Sequence, residues 1–214
     1  IDYKLSNYSD ILNNQDTETI KAFKFIPDNT NILFSLGFNK AQKLLSNNNK
    51  LLENNNKVWE SDKYKKEIQN LYKFDYNEFS NHIDNEAGLF ICGTNNNEEK
   101  KFSYFKTKES IHASSLIQKL IDQEKSKIYL DNEINYINDK KLTSNLFGER
   151  FTYNNDNFYI VIDDYFIFSN SSENLEFIID NYVSGSTLKN NNNFIKFSNN
   201  TLSKSNLFIY FNTA

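Results

Sequence analysis

The chain alternates short apolar runs with polar turn residues, and only a few stretches carry apolar residues at helical spacing. NILFSLGF, residues 31–38, follows the turn residues Pro27, Asp28 and Asn29 and reads as a buried strand. EAGLFICG (86–93) and KFSYFKT (101–107) flank the polar TNNNEEK and read as a hairpin. KIYLDNEINYIND, TSNLFGERFTYN and NFYIVID read as successive strands of a meander, with turn signals at Asn138-Asp139 and from Asn154 to Asn157. FYIVI and YFIF are apolar on both faces, as strands covered on both sides are. Only Asp163 and Asp164 lie between them, so the two form a tight hairpin.

Helical spacing appears four times. Residues 39–53 carry Ala41, Leu44, Leu45, Leu51 and Leu52, interrupted by Asn47 to Asn49. After an Asn-rich linker, SDKYKKEIQNLY offers Ser61 or Asp62 as a cap and Tyr64, Ile68, Leu71 and Tyr72 as a stripe. KESIHASSLIQKLIDQ places Ala113, Ile117, Leu120 and Ile121 on one face. Asn170 with Glu173 predicts a capping box, Leu175, Ile178, Ile179 and Tyr182 a stripe, and Gly185 the stop. The opening, residues 1–22, is an irregular lead-in, with a short helical turn expected near Thr17 to Phe23.

These elements predict an α+β fold, an antiparallel, meander-rich sheet with helices packed on it. One domain is expected over residues 23–200. The last run, 206–211, can be laid over 31–36, both apolar strands after polar turns. That match is either a coincidence of apolar pattern or the start, at 201–214, of a second, truncated unit of a duplicated architecture.

Composition narrows the function classes. There are 19 Phe and 13 Tyr among 214 residues, too many aromatics for a disordered chain. The 37 Asn, one Pro and five Gly follow an AT-rich codon bias. Net charge −4 and pI near 5.3 argue against a nucleic-acid partner. No apolar run approaches a membrane span. The chain begins at Ile1 and holds no Met, so it reads as processed or cut. A missing leader therefore says nothing of location. One Cys excludes an internal disulfide and a Cys-based zinc site.

Candidate chemistry is sparse. Asp163 and Asp164 are adjacent turn positions whose side chains diverge. His82, Asp84 and Glu86 alternate and would share a strand face as a weak metal set, but no second His is local. "IDNE" reads better as the polar start of the next strand. His112 sits early in a helix, as a boundary residue. Cys92, between Ile91 and Gly93, reads as a buried, inert thiol. No GxSxG, P-loop or GxGxxG occurs, and DNEINYINDKK lacks the Gly and terminal Glu of a calcium loop. No catalytic residue, cofactor or metal is assigned. Phe102, Tyr104 and Lys106 would share one strand face, with Ser103 and Phe105 opposite. Tyr129, Tyr136, Phe147, Phe151 and Tyr153 follow along the meander. Such aromatics form core, or an apolar groove for a lipid, a peptide or another subunit.

The order of IPDN with an apolar strand, a helical pair, the DNEAG strand, and DDYFIFSNSSENLEFIIDNYVSGSTL leading to NLFIYFN resembles a family of Bacteroidetes-type cell-envelope proteins. Members of that family are often labelled hypothetical lipoproteins or domain of unknown function. The specific part is an Asp-led strand entering a helix with a Gly stop. Here it is Asp163 or Asp164, Tyr165 to Phe168, Ser169 to Ser172, and Gly185 to Leu188. The resemblance covers residues 23–214. It implies export and lipid anchoring through an upstream Cys, and no established activity. The expected function is a non-enzymatic envelope module, periplasmic or surface-exposed, for binding or scaffolding. The alternative is a periplasmic carrier or sensor holding an apolar ligand, lipid or peptide, between sheet and helices.

Overall fold

A computed structural model describes residues 7–93 and 99–212. The fold is α+β, as the pattern predicts, with one eight-stranded antiparallel sheet. The strands are β1 (Thr30–Gly37), β2 (Ile83–Cys92), β3 (Lys100–Thr107), β4 (Ile121–Tyr129), β5 (Asn132–Ile137), β6 (Phe158–Ile162), β7 (Tyr165–Ser169) and β8 (Leu207–Phe211). Their spatial order is β4-β5-β6-β7-β3-β2-β1-β8. Two meanders, β1 to β3 and β4 to β7, therefore meet where β3 pairs with β7.

Alternation along the strands divides the core into two layers. One face carries Leu36, Ala87, Phe105, Phe166 and Phe168. It is covered by helices α1 (Ala41–Asn54), α2 (Val58–Tyr72), α3 (Tyr76–Ser80), α4 (Ser110–Ile117) and α5 (Leu142–Phe147). The other face carries Leu33, Phe90, Phe102, Tyr104, Tyr165 and Ile167. It is covered by α6 (Ser172–Ser184), α7 (Asn192–Ser198) and short 3-10 turns at Ala22–Lys24 and Leu188–Asn190. All of β7 is buried, as a strand sandwiched between two helical layers must be.

Several boundaries differ from the sequence reading. TSNLFGERFTYN is not a strand. It folds as α5 and a 3-10 turn at Glu149–Tyr153, because Leu142, Leu146 and Phe147 share one helical face and Gly148, at φ +93°, ends it. The helix expected over 108–123 stops at Ile117, and Ile121 opens β4. The cap of α6 is Ser171, whose Oγ accepts from Asn174 N at 3.3 Å, not Asn170. Helix α2 starts at Val58, so Ser61 and Asp62 lie inside it, and Leu71 is exposed.

The interruption seen at Asn47 to Asn49 is no break. Leu44, Asn47, Asn48 and Leu51 are the buried stripe of α1. Asn47 Nδ2 donates to Ile11 O and Asn13 O, both at 3.1 Å, and Asn48 Nδ2 to Leu146 O at 3.3 Å. These bonds hold the lead-in. Its helical turns fall at Tyr8–Leu12 and Ala22–Lys24 rather than from Thr17, and Ile11 and Ala22 belong to the two core layers. The two similar runs pair with each other inside this one sheet, β8 antiparallel to β1 with Phe34 opposite Ile209. The Asn95–Asn97 part of the expected β2–β3 loop lies outside the described residues.

Candidate functional site

The helices of the first layer do not reach the β1/β8 end of the sheet, and that leaves apolar side chains uncovered. On β1, Ile32, Phe34 and Leu36 point to this face. Across the ladder lie Phe211, Ile209 and Leu207 of β8 on one side, and Ile91 and Leu89 of β2 on the other. Ile32 is 37% exposed, Leu207 41%, Ile209 45% and Phe211 64%. The result is an open groove of about 810 Å³ along three strands.

One wall is built by the lead-in. Tyr8 packs near Phe34, with ring centroids 6.3 Å apart, and its hydroxyl donates to Phe147 O at 2.7 Å. The Arg150 guanidinium lies 5.8 Å from the Tyr8 ring centroid, and Arg150, Lys101 and Asn154 line the groove beside the apolar residues. Asn154 is 6% exposed, and its Oδ1 has no hydrogen-bond partner among the described residues. Lys101 also pairs with Glu99 at 3.2 Å, so the groove sets an apolar body beside Arg150, an ion-paired lysine and a few polar groups.

A second groove, about 780 Å³, runs between α4 and β4 to β6. Serines, glutamines, Lys127 and Glu133 line much of it, and Lys127 is paired with Glu176 at 2.6 Å.

The carboxyls whose pKa is raised are enclosed. Glu86 accepts from Lys21 N at 2.9 Å, Ala22 N at 3.1 Å, Tyr165 Oη at 2.7 Å and Tyr104 Oη at 3.3 Å. Gly88 makes room for this, because a Cβ there would collide with the Tyr104 hydroxyl. Asp139 accepts from Tyr64 Oη at 2.9 Å, from Tyr76 Oη, and from Lys141 N at 3.1 Å. Asp156 accepts from Ser103 Oγ at 2.9 Å and from Thr143 N at 2.8 Å. Burial pushes all three carboxyls up, Asp156 to about 7. Every contact named is internal, so these carboxyls tie elements together.

The residues singled out in the sequence are scattered. Asp163 and Asp164 are the β6–β7 turn; Asp163 pairs with Lys24 and Asp164 O accepts from Thr107 N at 2.8 Å. His82, Asp84 and Glu86 do not share a site. A register shift between Ile83 and Ala87 separates them, Asp84 pairs with Lys106, and Glu86 turns into the core. Among the described residues no cluster of three or more His, Cys, Asp or Glu is arranged to hold a metal. His112 is exposed, with Nδ1 2.6 Å from Glu109 Oε2, and its ring centroid is 6.1 Å from that of His82. Cys92 is buried beside Thr30 Oγ1, and burial pushes its thiol up to about 12. DNEINYINDKK is β5 and the turn after it, with Asp139 aimed inward. Phe102 and Tyr104 are core on one face and Phe105 on the other. No described helix is long and apolar enough to cross a membrane.

The chain matches no family model, no curated protein and no solved structure.

Proposed function

We propose that this protein is a non-enzymatic binding module, and that the groove on the β2-β1-β8 face is its contact surface. The observation that carries the reading is the exposure of Ile32, Leu207, Ile209 and Phe211 side by side on one strand face. The setting is the cell envelope, periplasmic or surface-exposed and lipid-anchored. That part rests on the resemblance of Asp163–Ser172 and Gly185–Leu188 alone.

The test is a titration with anilinonaphthalene sulfonate, whose rings suit the apolar strip and whose sulfonate suits Arg150. Saturable binding by the folded chain, weakened in Ile32→Glu with an unchanged circular dichroism spectrum, is the expected result. A chain that binds none refutes the reading.

A second reading, a carrier of an apolar ligand, is favoured by a volume within the range of small-molecule sites. Native mass spectrometry followed by solvent extraction separates the two. A stoichiometric acyl adduct makes the protein a carrier, and a clean mass leaves the contact surface.

A further inference from the structure

We infer that the open edge of β8 pairs antiparallel with β8 of a second copy of this chain, about a two-fold axis at Ile209. The inference rests on the binding reading above and names its partner. The first support is the direction of the backbone groups. Gly37 N donates to Asn206 O at 3.0 Å, and Asn212 N to Asn31 O at 2.8 Å. In an antiparallel ladder the bonded residues alternate. Asn206, Phe208, Tyr210 and Asn212 therefore face β1, and Leu207, Ile209 and Phe211 turn their N–H and C=O groups outward. No described residue takes them, since β8 ends the sheet.

The two edges of the sheet are treated differently. The β4 edge carries Glu124, Lys125 and Lys127, and its register slips between Asp122 and Lys127. Charges and irregularities of this kind keep strangers off an edge. Residues 205–212, SNLFIYFN, carry no charge. Glu18 of the lead-in bridges Ser205 just before β8, with Ser205 N donating to Glu18 O at 2.9 Å, and the outer edge of Leu207 to Phe211 beyond it is left uncovered by any described strand.

The edge is also complementary to itself. With Ile209 opposite its counterpart, Leu207 lies opposite Phe211 of the partner subunit, and Phe211 opposite the partner's Leu207. All three are outward-bonding positions, which gives about six backbone hydrogen bonds. Their side chains share the exposed face, so the two grooves merge into one apolar strip and no like charges meet. The opposite face of β8 is already fixed: Phe194 and Phe197 of α7 pack on Phe208 and Tyr210, with Phe194–Tyr210 centroids 5.2 Å apart. A strand held this way loses little freedom on pairing.

Sedimentation equilibrium of the purified chain tests the idea. The wild type should form a reversible dimer. Lys at both Leu207 and Phe211 places like charges opposite each other across the axis and should weaken it at least about tenfold, a difference of about 1.4 kcal/mol. Leu207→Glu with Phe211→Lys places opposite charges there and should restore it. Ile209→Pro deletes an outward N–H and the Ile209 side chain but no hydrogen bond of the β1 ladder, and should also dissociate the dimer; it carries the test if a charged variant misfolds. A wild type that stays monomeric, or a dimer indifferent to these changes, overturns the inference. If that monomer still binds anilinonaphthalene sulfonate, only the choice of partner is wrong. If it binds none, the binding reading falls with it.

Discussion

Tyr165 donates its phenolic hydrogen to Glu86 Oε2 at 2.7 Å inside the core, joining β7 to β2 across the intervening β3. The same carboxylate takes Lys21 N and Ala22 N, the first amides of the Ala22–Lys24 turn. One buried side chain thus anchors the lead-in to the centre of the sheet. Removing it strands several donors, each a loss of about 1–3 kcal/mol. Glu86→Ala should lower unfolding stability by roughly 3 kcal/mol or more. Glu86→Gln keeps one acceptor and sets its amide against a backbone N–H, so it should fall between. Urea melts measure both.

Three raised carboxyls predict an unusual pH dependence. A carboxyl harder to ionise folded than unfolded keeps its proton in the native state. Its contribution is complete below the unfolded pKa and is lost as pH rises through the folded one. For Asp156 that window runs from the ordinary 3.8 to about 7. Glu86 and Asp139 act in the same direction. The urea midpoint should therefore fall between about pH 4 and about pH 7 and level off above. Asp156→Asn, which keeps an acceptor for Thr143 N and needs no ionisation, should flatten that slope. A midpoint that rises with pH across the window would contradict the assignment.

The β4–β5 hairpin turns at Leu130 and Asp131, both at positive φ, +44° and +61°. That backbone favours Asn or Gly at the first position, and a leucine there is strained. Leu130 is also 56% exposed, so no core contact offsets the strain. Leu130→Asn should stabilise the protein by about 1 kcal/mol. A thermal melt of the single variant is sufficient, and an unchanged or lowered midpoint would count against the strain.

That turn also shows where sequence reasoning stops. The β6–β7 hairpin was readable because both strands are apolar on both faces and two aspartates separate them. The Leu130 turn carries no such mark at its first position, so KIYLDNEINYIND reads as one strand. Asn47 and Asn48 look like a break in α1 because polarity is visible in sequence and their partners, Ile11 O and Leu146 O, are distant in it. Helix α5 is little more than one turn long and contains Thr143, too short for its spacing to outweigh a strand reading. The groove was hidden for a different reason. β1 is apolar on both faces, like β7, and only the positions of the helices decide that Phe168 is covered while Ile209 opposite Phe34 is not.

Asp163 stands at φ +52° in the β6–β7 turn, and its carboxylate meets Lys24 at the surface. Asp and Asn tolerate that backbone better than other side chains, and glycine tolerates it freely. The ion pair is half exposed, so it contributes at most about 1 kcal/mol. Asp163→Gly should thus leave stability within about 1 kcal/mol of the wild type, gaining backbone ease as it loses Lys24. Asp163→Val puts a β-branched residue at positive φ and should lose about 1–2 kcal/mol. Asp164→Ala should be milder still, because Asp164 holds Thr107 through its carbonyl oxygen, which the substitution keeps. Urea midpoints in this order, Gly and Ala near wild type and Val below, make the pair a turn. Equal losses in Asp163→Gly and Asp163→Val would instead show that the carboxylate itself matters.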